Sequence, residues 1–197
     1  TGGFMGGALC VNEDNEDIDV VSCRVINNTA TRGGGMAFLN GNHNVALSRS
    51  LFLSNRALGT VGGVEFSFSN TEIEVSECEF LRNIAASNSG GLRFFSGNIN
   101  INVTLCIFRE NFAVGKAGGV MIRSENSHII MLGNILESNS VIGGGRGGAM
   151  ALKNNNLNIE MTNCSFRFNT VSGDSTDGGA LAYTFLNTGM IISNCTF

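Results

Sequence analysis

Short runs in which apolar and polar residues alternate return about every 28 residues along this chain. The first run places apolar side chains at Ala8/Cys10, Met36/Phe38, Val64/Phe66, Leu92/Phe94, Val120/Ile122, Ala149/Ala151 and Ala180/Ala182. The second places them at Ile18/Val20, Val45/Leu47, Ile73/Val75, Ile101/Val103, Ile129/Met131, Ile159/Met161 and Met190/Ile192. The third holds Cys23/Val25, Ser50/Phe52, Cys78/Phe80, Cys106/Phe108, Asn134/Leu136, Cys164/Phe166 and Cys195/Phe197. Period two is the signature of a strand with one buried face, and no helical period competes with it. Each repeat therefore predicts three short strands.

Fixed residues punctuate these runs. Gly-Gly pairs begin at Gly6, Gly34, Gly62, Gly90, Gly118, Gly147 and Gly178, with separations of 28, 28, 28, 28, 29 and 31. Asn follows the first run in every copy (Asn15, Asn42, Asn70, Asn98, Asn126, Asn156, Asn187). A second series, Asn28, Asn55, Asn83, Asn111, Asn139 and Asn169, follows the third run. Asn tolerates positive φ and bonds to nearby backbone, so both series mark corners. At Val21, Ser48, Ser76, Thr104, Leu132, Thr162 and Ser193 the alternation slips by one residue, which is a third bend. Three strands and three corners make one coil of a single-stranded parallel β-helix. The expected fold is all-β: one continuous segment over residues 1–197, about seven coils, part of a longer chain. Equivalent residues would stack about 4.8 Å apart. Phe52, Phe80, Phe108, Phe166 and Phe197 would form one core stack, and the corner amides would pair along ladders.

Composition agrees. The chain has 27 glycines and no proline. A strand N–H that must bond the next coil leaves no room for proline. A hydrophobic content of 43% excludes disorder. The net charge of −4 with no basic run argues against nucleic acid as a partner. No apolar run approaches the ~18 residues of a transmembrane helix.

The motifs Gly6-Gly7-Ala8-Leu9 and Gly178-Gly179-Ala180-Leu181 alternate in phase with Phe52-Leu-Ser-Asn55, Phe80-Leu-Arg-Asn83, Phe108-Arg-Glu-Asn111 and Phe166-Arg-Phe-Asn169. This pattern resembles the passenger repeats of the chlamydial polymorphic membrane proteins, which are autotransporters. Gly35-Met36, Gly63-Val64, Gly91-Leu92 and Leu136 depart from it. The resemblance implies a right-handed parallel β-helix, a surface location, and adhesion or shell-building. It implies no catalytic residue.

Candidate chemistry is sparse. Cys23, Cys78, Cys106, Cys164 and Cys195 share one rung. Cys78 with Cys106, and Cys164 with Cys195, would lie in adjacent coils within disulfide reach; the alternative is a ladder of free thiols. Carboxylates cluster at Glu13, Asp14, Glu16, Asp17 and Asp19, and at Glu72, Glu74, Glu77 and Glu79. The outward pairs Asp17/Asp19 and Glu72/Glu74 could serve a glycoside hydrolase or lyase, but a solvated acidic face is the simpler reading. Sequons start at Asn27, Asn102, Asn163 and Asn194. The run Gly143-Gly144-Gly145-Arg146-Gly147-Gly148 lacks the Lys-Ser/Thr of a phosphate loop and reads as a corner. Residues Asp174, Ser175, Thr176 and Asp177 form an inserted loop expected to project and bind.

The most telling surface is the outward side of the first strand. The repeat predicts Leu9, Val11, Leu39, Phe95, Met121, Met150, Leu152, Leu181 and Tyr183 there. Such a face needs cover, from a partner or from the same chain. Open coil ends would likewise need flanking coils or a second copy. The sequence thus points to a structural or adhesive extracellular scaffold without cofactors, whose partners are itself, neighbouring coils, or surface glycans and proteins. The alternative is a glycan-active or glycan-binding β-helix.

Overall fold

A computed structural model describes residues 5–173 and 178–197. The chain winds as a parallel β-solenoid, and no helix occurs among the described residues. Coil three shows the unit. Its strands are Val64–Phe68, Thr71–Ser76, Glu79–Leu81 and Ile84–Ala85. The fourth strand corrects the expectation of three. It is too short to show an alternation, and only its parallel pairing with Arg56–Ala57 and Phe112–Ala113 reveals it. Stacking gives four parallel sheets, the first two of seven strands and the last two of six. There are thus six full turns and part of a seventh. Among the described residues no helix is long and apolar enough to cross a membrane.

All three predicted corners are built alike. A residue with positive φ precedes each inward corner residue: Ser69 (54°) before Asn70, Glu77 (51°) before Cys78, Arg82 (53°) before Asn83. That left-handed step turns the chain and points the next side chain inward. Both Asn series form continuous ladders. Asn42 Nδ2 donates to Asn70 Oδ1 at 2.9 Å, and Asn55 Nδ2 to Asn83 Oδ1 at 3.0 Å. The second amide hydrogen goes to a carbonyl of the preceding coil, as from Asn83 to Phe52 O at 2.9 Å. No buried ladder amide among the described residues is left without a partner, which burial demands. The cysteine rung is the third ladder. Asn134 Oδ1 accepts the Cys106 N–H at 2.9 Å, and the Cys106 thiol donates to Val75 O at 3.3 Å.

Inside, Phe52, Phe80 and Phe108 stack at 4.8 Å with rings 10° apart. A second stack, Phe38, Phe66 and Phe94, rises beside it on the first sheet at 4.9 and 5.3 Å. Leu136 interrupts the first stack in coil five without opening to solvent.

One glycine position recurs in every coil. A Cβ on Gly118 would lie 2.3 Å from Gly148 O and 2.6 Å from Ser140 N. The next position is less demanding: Ala149 stands in register there with Gly119. This recurring position is the second of the pair in coil six (Gly148) and the first in coil five (Gly118). This one-residue offset governs the outer surface.

Candidate functional site

The outward side of the first sheet differs from expectation. Leu9 pairs with Met36, Met150 with Val120, and Leu181 with Met150. Leu9, Val11, Met150, Leu152, Leu181 and Tyr183 therefore stand in the inward columns, and Cys10, Ala151 and Ala182 in the outward one. The cause is coil length. Gly6 bridges to Gly33 and Ala117 to Gly147, steps of 27 and 30 residues, so aligning Gly-Gly pairs reverses the parity of coils one, six and seven. Leu39, Phe95 and Met121 do lie outward, yet Leu39 and Met121 are buried and Phe95 half-buried. Cover comes from the same chain: the segments leading to the first strands of coils three and five fold over this side. Ala117 packs on Met121 and Ala151, and Thr60 reaches Glu65.

Beneath that cover lies a buried charge cluster. Glu65 is fully buried. Its carboxylate accepts from Arg32 Nη2 at 2.6 Å, Thr60 Oγ1 at 2.6 Å and Ser67 Oγ at 3.2 Å, and pairs with Arg93 Nη1 at 3.5 Å. Arg93 is also buried, its guanidinium 4.2 Å above the Phe95 ring, with Arg123 at 4.9 Å. Burial pulls the Arg93 pKa down to about 10, against the pull of Glu65. The alternation that turns Val64 and Phe66 inward turns Glu65 to the opposite side, and nothing in that alternation reveals its burial. A lone acid amid outward Ala37, Arg93 and Met121 was the available signal.

An exposed groove lies over the second sheet. The second residue of each strand there has positive φ: Asp17, Asn44, Glu72, Asn100, His128, Asn158 and Gly189. The ladder skips this residue, pairing Thr71 with Ile99 and Ile73 with Ile101. The strand kinks as at a bulge, and the columns on either side of the kink frame a depression. Its volume is about 660 Å³, lined by Glu72, Asn100, Asn102, His128, Asn158 and Glu160 over Ile130 and Ile191. Neighbouring coils pair within the column. Asn100 Nδ2 donates to Glu72 Oε1 at 2.6 Å, and Asn44 Nδ2 to Asp17 Oδ1 at 2.7 Å. His128 Nε2 lies 3.5 Å from Asn158 Nδ2.

The remaining candidates fall as follows. All six cysteines are free thiols; Cys78, Cys106 and Cys164 are buried. A hydrogen bond with Cys78 and burial push the Cys106 thiol well above its ordinary value. The sequon residues Asn27, Asn102, Asn163 and Asn194 are exposed, and Asn102 lines the groove. Gly143 and Gly144 form an exposed corner with positive φ. The loop Asp174–Asp177 lies outside the described residues. No group of three metal-ligating side chains occurs among the described residues. No family model, no curated protein and no solved structure matches the chain, so its own geometry carries the functional reading.

Proposed function

We propose that the chain is a non-enzymatic stretch of an extracellular or cell-surface β-helix with an adhesive and structural role. It acts as a stiff rod that displays columns of side chains to a partner surface. The observation that carries this reading is the groove over the second sheet, where polar side chains repeat coil after coil beside exposed Ile130 and Ile191. Identical spacing in every coil suits many weak contacts made together. The phase of the Gly-Gly-Ala and Phe-x-x-Asn motifs, as in polymorphic membrane protein passengers, supports the surface setting.

Binding is favoured over hydrolysis by the placement of the carboxylates that line the groove. Glu72 and Glu160 stand three coils apart, about 14 Å at about 4.8 Å per coil. A hydrolytic pair stands roughly 5–9.5 Å apart. The test is bead retention. Beads coated with the folded chain should adhere to glycan-bearing cell surfaces, and beads coated with the heat-unfolded chain should not. Equal retention would overturn the adhesive role.

A further inference from the structure

We infer that the groove over the second sheet binds an extended, uncharged, polyhydroxylated chain, a neutral oligosaccharide, with about one sugar unit per coil. This names the ligand class for the adhesive surface proposed above and rests on that reading.

The first argument is the inventory of groups. Asn100, Asn102 and Asn158 each offer an amide carbonyl and N–H groups, and each of them internally satisfies at most part of that capacity. Asn100 spends one N–H on Glu72, which leaves its carbonyl and second N–H to solvent. A hydroxyl both donates and accepts, so a polyol can meet every one of these groups. Ile130 (41% exposed) and Ile191 (60% exposed) supply apolar contact beside the amides, as the C–H face of a sugar ring requires.

The second argument is spacing. Groups in one column repeat at the coil rise of about 4.8 Å. That is close to the advance of one sugar ring in an extended chain, so successive rings would meet successive positions of the same two columns. From Glu72 in coil three to Gly189 in coil seven the groove spans five coils.

The third argument is charge. The acids lining the groove are Glu72 and Glu160, and no Lys or Arg lines it. An anionic chain would meet like charge at both places. The ligand class is therefore neutral, and uronate or sulfated chains are disfavoured.

The experiment titrates the folded chain by calorimetry with linear β-linked glucose oligomers of two to eight units, and with a uronate oligomer of matched length. Saturable binding should tighten with each added unit up to about five, one per coil. The double variant Asn100→Gly/Asn158→Gly keeps the positive φ, because Gly189 already occupies this column. It should melt as the parent does and bind about tenfold more weakly, the loss expected for two hydrogen bonds. The uronate oligomer should bind more weakly than its neutral counterpart. No saturable binding of a neutral oligomer, unchanged affinity in the double variant, or equal affinity for the uronate would overturn the inference. Bead adhesion that persists in the double variant and in excess neutral oligomer would also overturn it, while leaving the adhesive role standing.

Discussion

Asn70 and Asn98 are one coil apart and joined through a single acceptor atom: Asn98 Oδ1 takes both the backbone N–H and the Nδ2–H of Asn70, each at 3.0 Å. Asn98 in turn donates to Asn126 Oδ1 at 2.9 Å, and both residues are fully buried. Removing one amide therefore strands groups on the coils on either side. Asn98→Leu should destabilise the chain by about 1–3 kcal/mol, the cost of buried groups left unpaired. A urea denaturation series checks this, and a neutral result would show that the ladder contributes nothing to stability.

Glu65 is the counter-charge for two arginines at once. Glu65→Ala would leave Arg93 buried without an anion and Thr60 without its acceptor. The expected loss is about 3–5 kcal/mol, as for other broken buried pairs. Adding Arg93→Met to Glu65→Ala should recover part of that loss, because no buried charge is then left alone. Equilibrium unfolding of the three proteins measures both effects. A double variant no more stable than the single one would contradict this account.

The two glycines of one pair should respond differently. Gly118→Ala drives a Cβ against backbone atoms 2.3 and 2.6 Å away, which cannot yield as a side chain can. Gly119→Ala reproduces what Ala149 does one coil later. Thermal melts should show a drop of several degrees or failure to fold for the first, and a much smaller drop for the second. Equal effects would show that the register offset has been misassigned.

Burial raises the pKa of Cys164, with Cys195 adding to the rise. The folded thiol keeps its proton where the unfolded thiol, near its ordinary value of 9.0, begins to lose it. Above that point the unfolded state binds fewer protons, so stability is complete below it and falls as pH rises. Between about pH 8 and about pH 9.5 the melting temperature should decline. Cys164→Ser should flatten part of the decline, since Ser50 already fills this rung. An unchanged slope would exclude Cys164 as the cause. In the same protein at neutral pH, thiol reagents should label Cys10 first and reach Cys78, Cys106 and Cys164 only on unfolding.

Much of the coil was legible because a solenoid repeats its physics. The Phe-x-x-Asn motif places Phe80 in a stack and Asn83 in a ladder in the same way in each coil, so copies reinforce one another. The fourth strand was not legible, since Ile84–Ala85 is defined by its neighbours' hydrogen bonds alone. The groove was half legible. Glu72, Asn100 and His128 could be assigned to one strand position, but not the left-handed step that opens a depression between columns. Asp17, Asn44, Asn100, His128, Asn158 and Gly189 are residue types that favour positive φ, but Glu72 is not, and the mark shows only when the coils are laid in register.

The sequence by itself determined the period, the inward stacks, the corner ladders and the parallel architecture, because each depends on residue spacing within a repeat. Tertiary structure alone decided which side of the first strand faces out in coils one, six and seven. Parity there follows hydrogen-bonded register between coils, and coils of 27 and 30 residues shift that register by one residue against the glycine pairs. It also decided that Glu65 and Arg93 are buried: a covering segment and residues from adjacent coils meet only once the chain has wound. Contacts along the chain are written in order, whereas contacts between coils exist only after their lengths have been added up.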